Sequence, residues 1–141
     1  MLSENKINHF FFLAKNACLY SDNKKTRVGC IIVYKNSVIS VGYNKNSKTH
    51  PLQKKYNNYR GFDTNASKCN NSLHAECAAL SKIKYYDIDW KRVNVFVYRI
   101  RKDGTKGMAK PCQACEELIK DMGIKNVYYS TDIGWNYERY D

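Results

Sequence analysis

Two short motifs constrain this chain more than anything else in it: His74-Ala75-Glu76 and, thirty-five residues beyond Glu76, Pro111-Cys112-Gln113-Ala114-Cys115. One imidazole and two thiolates make a zinc ligand set. A structural zinc normally closes its tetrahedron with four protein ligands, whereas a catalytic one leaves the fourth position to water. Any fold of this chain must therefore bring residues 74 and 112–115 to one point, and the spacing says how. His74 and Glu76 are two apart, which on a regular helix points them to nearly opposite faces. They converge only at a helix start, where the end of the axis is open and side chains lean back toward it. Ala75, Ala78, Ala79, Leu80 and Ile83 recur at helical steps among strong helix formers, so His74 opens a helix. Pro111 suits a helix start too, and Cys112 and Cys115, at i and i+3, share one face of its first turn. Leu118, Ile119 and Met122 continue the apolar stripe, and Gly123 is placed to end it. Two helix N-termini then face one metal, and their partial positive charge favours the thiolate form of Cys112 and Cys115.

Other readings of the separate parts exist. A Cys pair two residues apart is common in redox sites and zinc ribbons, and a lone His at a helix start is usually structural. A redox pair leaves His74 and Glu76 without a role, and a structural zinc has no use for Glu76. The remaining cysteines need no disulfides: Cys30 and Cys77 lie in apolar surroundings, where a free Cys behaves as a small hydrophobe. Cys18 and Cys69 show no clear role.

The 141 residues suit a single domain, 1–141, large enough to bury a core without staples. No apolar run approaches the length that spans a membrane, and Lys6, Asn8, Lys15 and Asn16 break the first twenty residues, so we expect a cytoplasmic protein without membrane attachment. Lys and Arg outnumber Asp and Glu by 24 to 13, a formal net charge of +11. Such an imbalance attracts phosphate-bearing partners, nucleotide or polynucleotide, without choosing between them; many of the lysines also fit a solvated surface.

Ile7, Phe10, Phe11, Ala14, Ala17 and Cys18 follow helical spacing with Ser3 as cap, predicting a helix over 4–20. Val28–Tyr34 is almost uniformly apolar, as a strand covered on both faces would be. Lys35, Asn36 and Ser37 turn the chain into a second strand, Val38–Tyr43. Strands over Val93–Tyr98 and Asn126–Thr131 each come after one of the ligand-bearing helices. Ile133, Trp135 and Tyr137 alternate with polar residues in a last short strand, too close to its predecessor for a parallel crossover and therefore antiparallel. The order predicts an α/β sandwich with a mixed sheet of about five strands. Residues 44–72 form the longest stretch without periodicity. Lys54, Lys55 and Arg60 interleave there with Tyr56 and Tyr59, suited to phosphate contact and base stacking or to an insertion whose aromatics fold back on the core.

The paired motifs and this element order resemble the zinc-dependent cytidine and deoxycytidylate deaminase superfamily, which includes tRNA adenosine deaminases. The resemblance covers most of the chain and implies the three-layer α/β/α sandwich of the cytidine deaminase-like type, Zn2+ held by His74, Cys112 and Cys115, Glu76 as proton carrier, and a homo-oligomer. It implies further that the Ala75 N–H holds the base. Asn44, in Gly42-Tyr43-Asn44, would contact sugar or base, although a polar turn residue would look the same. The segment after the third strand, with Arg99, Arg101 and Lys102, would border the pocket and meet a phosphate. Two features depart from the deoxycytidylate pattern. The antiparallel last strand is the form of free cytidine deaminases, which nevertheless usually carry Cys where this chain has His74. The run from Arg99 to Lys110 also departs from the deoxycytidylate pattern, which places Thr shortly before Pro-Cys. Related deoxycytidylate deaminases sometimes hold a second zinc near His50 and Cys69, two residues that alone do not make a site.

The leading expectation is hydrolytic deamination of a cytosine nucleotide or nucleoside, most plausibly deoxycytidylate, to the uracil form with release of ammonia. The alternative is deamination of cytosine or adenine within single-stranded DNA or RNA, where the base must first be unstacked. From a different class comes a basic zinc-containing binding module without turnover, against which Glu76 argues.

Overall fold

The computed structural model describes residues 2–61 and 72–141. Helix α1, Glu4–Cys18, starts where Ser3 accepts the Lys6 N–H at 3.3 Å, and ends two residues short of the predicted boundary. Strands β1 (Thr26–Tyr34) and β2 (Ser37–Tyr43) form a hairpin whose turn residues, Lys35 and Asn36, both have positive φ, 50° and 65°, as a two-residue turn matched to strand twist requires. Then come α2 (Pro51–Tyr56) with a 3-10 turn at Asn57–Arg60, α3 (Ala75–Ser81), β3 (Asn94–Arg101), the two-residue β4 (Lys106–Gly107), α4 (Gln113–Asp121), β5 (Asn126–Ser130) and β6 (Trp135–Arg139).

The sheet runs β2-β1-β3-β5-β6, with β4 paired to the end of β3. Only β3 and β5 are parallel, the α4 crossover joining them. The predicted antiparallel last strand is present as β6, paired from Ser130↔Trp135 to Asn126↔Arg139. Alternate residues of the central strands supply two cores. Ile31, Val33, Phe96 and Tyr128 pack with Ile7, Phe10 and Phe11 of α1 on one face. Cys30, Ile32, Val95, Val97, Val127 and Tyr129 pack with α2, α3 and α4 on the other. This is the expected layered sandwich, and it explains the continuous apolar run of β1: both faces are covered. Among the described residues, no helix is long and apolar enough to cross a membrane.

The sequence reading missed α2 and β4, both too short to show a period. In α2, Leu52 and Tyr56 turn inward, and the Tyr56 hydroxyl donates to Asp121 of α4 at 2.7 Å, so this aromatic does fold back on the core. Tyr59 stacks on it with centroids 5.9 Å apart and stays 47% exposed.

Each helical layer touches the sheet at a glycine. A Cβ on Gly29 of β1 would run into the Ala14 carbonyl and the Cys18 backbone nitrogen of α1; one on Gly42 of β2 would run into the Ala75 carbonyl and the Ala79 nitrogen of α3. Either Gly→Ala change should destabilise by roughly 1–3 kcal/mol through overpacking. Because Gly42 supports the helix that His74 opens, Gly42→Ala should also reduce zinc content, whereas Gly29→Ala, on the opposite face, should not. Thermal unfolding together with elemental analysis of both variants checks the difference.

Candidate metal centre and active site

His74 and Cys112 occupy the N-cap positions of α3 and α4. An N-cap side chain normally accepts a backbone N–H of its own helix, yet neither of these makes such a bond. Both point away from their helices and toward each other. Cys112 Sγ lies 3.5 Å and Cys115 Sγ 3.4 Å from His74 Nδ1. Tetrahedral zinc with ordinary Zn–N and Zn–S bonds separates such atoms by about 3.6 Å, so the donor set fits zinc in kind and in spacing, with Nδ1 as the imidazole donor. Among the described residues this is the only group of three such donors within 4.8 Å of one another. Pro111 precedes the N-cap and so stands just outside α4. Gly123 ends the helix at φ 87°, its N–H bonding the Lys120 carbonyl while that of Ile124 bonds the Ile119 carbonyl, the paired bonds of a glycine-terminated helix.

The two thiols are hydrogen-bonded to each other and shifted in opposite directions. A hydrogen bond from Cys115 holds Cys112 as a thiolate against the effect of burial, its pKa lowered to about 3, with His74 assisting. That same bond, with burial and the Glu76 charge, pushes Cys115 well above the ordinary thiol range. Zinc binds thiolates, so binding releases the Cys115 proton. Burial pulls His74 down, but the hydrogen bond to Cys112 and the charges of Glu76 and Cys112 outweigh it and leave its pKa raised; Arg60 opposes them. Glu76, one position beyond Ala75, is 5% exposed. Burial raises its pKa, with Cys112 adding to the rise and His74 opposing. A carboxyl held above the usual range is suited to give a proton as well as take one.

A cavity of about 330 Å³ opens over this centre, with His74, Ala75, Glu76 and Cys112 on one side and Asn23, Thr26, Asn44, Arg99, Met108 and Lys110 among its other walls. Asn44, Ala75 and Arg99 are thus brought to the cavity, but Arg101 is not among its lining residues. Arg101 turns to the exposed Asp132, with which it pairs. Arg99 is fixed by β5: the buried Ser130 hydroxyl accepts the Arg99 N–H at 3.1 Å and donates to the Gly107 carbonyl of β4 at 2.8 Å. Asn44 has structural work as well, its Oδ1 accepting the Val28 N–H at 2.9 Å and the Ser21 hydroxyl at 2.6 Å, its amide donating to the Thr26 carbonyl at 2.9 Å. One amide N–H remains for the cavity.

Residues that sequence reasoning passed over also meet here. Gln53 of α2 accepts the His74 backbone N–H at 2.9 Å. Asn23 and Thr26 line the cavity because the loop before β1 is tied to the loop after β2: Asp22 accepts from the Asn46 N–H at 2.7 Å and the Ser47 hydroxyl at 2.6 Å. The signal for these was a run of Asn, Asp and Ser at both loops, which marks turns without naming partners. His50 caps α2, its Nδ1 accepting the Leu52 N–H at 3.0 Å. Cys69, the other half of the second metal pair, lies outside the described residues.

The family description "Cytidine and deoxycytidylate deaminase zinc-binding region" matches residues 4–131. The chain belongs to this family. Zinc is the cofactor of the centre, and cytosine-type deamination is the family's chemistry. Similar solved structures include the dCMP deaminase of the cyanophage S-TIM5 in apo form, 24% identical over 91% of this chain and 84% of that one, with a TM-score of 0.61. That enzyme in complex with dCMP and dUMP is 22% identical, covering 92% and 83%, TM-score 0.59. The cytidine deaminase from Burkholderia pseudomallei is 15% identical, covering 98% and 93%, TM-score 0.63. At these identities the likeness is one of fold. No curated protein sequence matches significantly.

The purified chain should hold about one zinc, and Cys112→Ser and Cys115→Ser should each lose most of it, because a hydroxyl is a far poorer zinc ligand than a thiolate. Elemental analysis of the three proteins checks this; full retention in both variants would mean that the metal sits elsewhere.

Proposed function

We propose that this deaminase acts on a free cytosine nucleotide, most directly deoxycytidylate, releasing ammonia and leaving the uracil form. The observation that carries the reading is Arg99. It lines the same cavity as Glu76 and His74, and its Nε is a buried nitrogen without a hydrogen-bond partner. A buried N–H left unpaired costs free energy unless a ligand supplies an acceptor, and a guanidinium is built to take a phosphate. The cavity volume suits one nucleoside, and the cyanophage enzyme solved with dCMP and dUMP agrees with the choice.

When bound, zinc lowers the pKa of water from about 15.7 toward ~7. The remaining chemistry belongs to the chain. The Ala75 N–H, one of the helix-start donors without an intrahelical partner, would hold the base. Glu76 takes a proton from water as its oxygen adds to the ring carbon bearing the amine, and delivers that proton to the adjacent ring nitrogen. The carbon–nitrogen bond then breaks and ammonia leaves with the second proton of the water, so that cytosine and water become uracil and ammonia. Burial of Glu76 excludes bulk water that would compete for these transfers. Arg99 would fix the phosphate, and Asn44 would offer its one free N–H to the sugar.

A second reading, deamination of cytosine or adenine within single-stranded DNA or RNA, is favoured by one feature. Next in the chain to Ser21 and Asn44, the 73% exposed Tyr20 sits with its ring 5.8 Å from that of Tyr43, over which the Lys45 ammonium lies at 4.8 Å. Aromatics beside cations suit strand binding.

Glu76→Ala should keep its fold and its zinc and lose at least ~10²-fold in turnover, the lower end of what positioned acid/base catalysis supplies. Zinc content and kcat measured on the same preparation check it, and near-normal turnover would remove Glu76 from the mechanism.

Arg99→Ala should raise KM for deoxycytidine monophosphate by roughly 10–100-fold, the value of a charge-assisted hydrogen bond, and leave deoxycytidine little changed. Arg101→Ala should change neither, since its exposed pair with Asp132 lies outside the cavity. Salt separates the two readings: polynucleotide binding through six to ten phosphates weakens by about 10³–10⁵ between 50 and 200 mM, while one phosphate group responds weakly. Efficient, steeply salt-dependent deamination of single-stranded DNA or tRNA, with none of the mononucleotide, would replace the first reading by the second.

A further inference from the structure

We propose that Gln53 and Asn57 are positioning residues for the zinc centre, holding the His74 backbone from a separate helix so that its imidazole meets Cys112 and Cys115. The need for them begins with an N–H that α3 cannot satisfy itself. An N-cap residue's own N–H has no intrahelical partner. Helices commonly meet this need with a Glu or Gln at the third helical position, whose side chain reaches back to it. In α3 that position is Cys77, which has no oxygen, and Glu76 one place earlier is committed to the cavity. Gln53 takes that role instead: its Oε1 accepts the His74 N–H at 2.9 Å, and its Nε2 donates to Asn57 Oδ1 at 2.8 Å.

Burial shows that this is a dedicated arrangement. Gln53 is 1% exposed and Asn57 fully buried, in a segment otherwise rich in Lys and Asn. Amides are kept out of water only where their bonds are made. Asn57 Oδ1 also faces Arg60 Nη1 at 3.5 Å, so the chain of contacts runs from a guanidinium through two amides to the backbone of a metal ligand. Tyr56 anchors the far side of the same segment to α4 through Asp121, and α4 carries Cys112 and Cys115. The segment therefore braces both ligand-bearing helices at once. Partners that orient a metal ligand typically change metal affinity by 10–100-fold when removed.

The test compares zinc affinity, by competition with a chromophoric chelator, and the visible absorption of the cobalt(II)-substituted protein for wild type, Gln53→Leu, Gln53→Glu and Asn57→Ala. Gln53→Leu should bind zinc about 10–100-fold more weakly and shift the cobalt bands. Gln53→Glu keeps an acceptor for the His74 N–H but loses the donor to Asn57 Oδ1, and should recover part of the affinity that Gln53→Leu loses. Asn57→Ala leaves Gln53 in place without its anchor and should show a smaller loss in the same direction. It also keeps the test decisive if Gln53→Leu does not fold. Wild-type zinc affinity and an unchanged cobalt spectrum in the folded variants, with only a lower melting temperature, would make these two amides ordinary core residues and overturn the proposal. No substrate enters either measurement, so this inference and the nucleotide reading can fail separately.

Discussion

Two helices whose first residues turn outward, His74 and Cys112, are the arrangement on which the reactive end of this fold depends. A helix start is electrostatically positive and short of acceptors. The usual remedy, a cap from the N-cap side chain, is absent at both starts. Two sets of N–H groups without intrahelical partners therefore face two sulfurs and a carboxylate at one point. The parallel β3–β5 pair makes the meeting possible. It requires a crossover helix, α4, on the same face of the sheet as α3, and Gly42 lets α3 sit close enough to share the centre.

That geometry sets the charge balance. Two thiolates and Glu76 bring three negative charges to a buried place, and one divalent cation leaves the group with a net charge of minus one. Helix starts offset part of the remainder, Arg60 is close enough to act on His74, and Arg99 lines the cavity. Burial alone would make Glu76 a reluctant anion; a nearby cation returns it toward ionisation. In the proposed reaction Glu76 needs both tendencies in balance, because there it would accept a proton from water and then donate it to a ring nitrogen.

Periodicity exposed the repeating features of the chain, and the fold keeps to them closely: α1, both faces of β1, and the antiparallel β6 all lie within a few residues of where apolar spacing puts them. The ligand residues were legible for another reason, since their chemistry limits how they can be spaced. Pairing across the chain stayed hidden. Gln53 lies twenty-one positions from His74 in a segment whose composition reads as surface, and nothing local marks one Gln there as buried. Arg99 and Arg101 look equivalent in sequence and share a face of β3, yet Arg99 lines the cavity while the Arg101 guanidinium turns away to pair with Asp132. Six-residue α2 and two-residue β4 are shorter than the window in which a period can be seen.

An antiparallel β6 needs only a tight turn after β5, with the Thr131 N–H bonding the Gly134 carbonyl at 2.9 Å, so the chain spends no residues on a further helix. The outer flank of α4 is covered by β6 and the residue after it: Tyr140 packs into the same core as α4, and Glu138 pairs with Lys110 at 3.2 Å, one residue before Pro111. Lys110 also lines the cavity. The last strand therefore borders the cavity through one ion pair, and the His ligand and the antiparallel edge are set by separate elements. One belongs to α3, and the other is set by how α4 is covered.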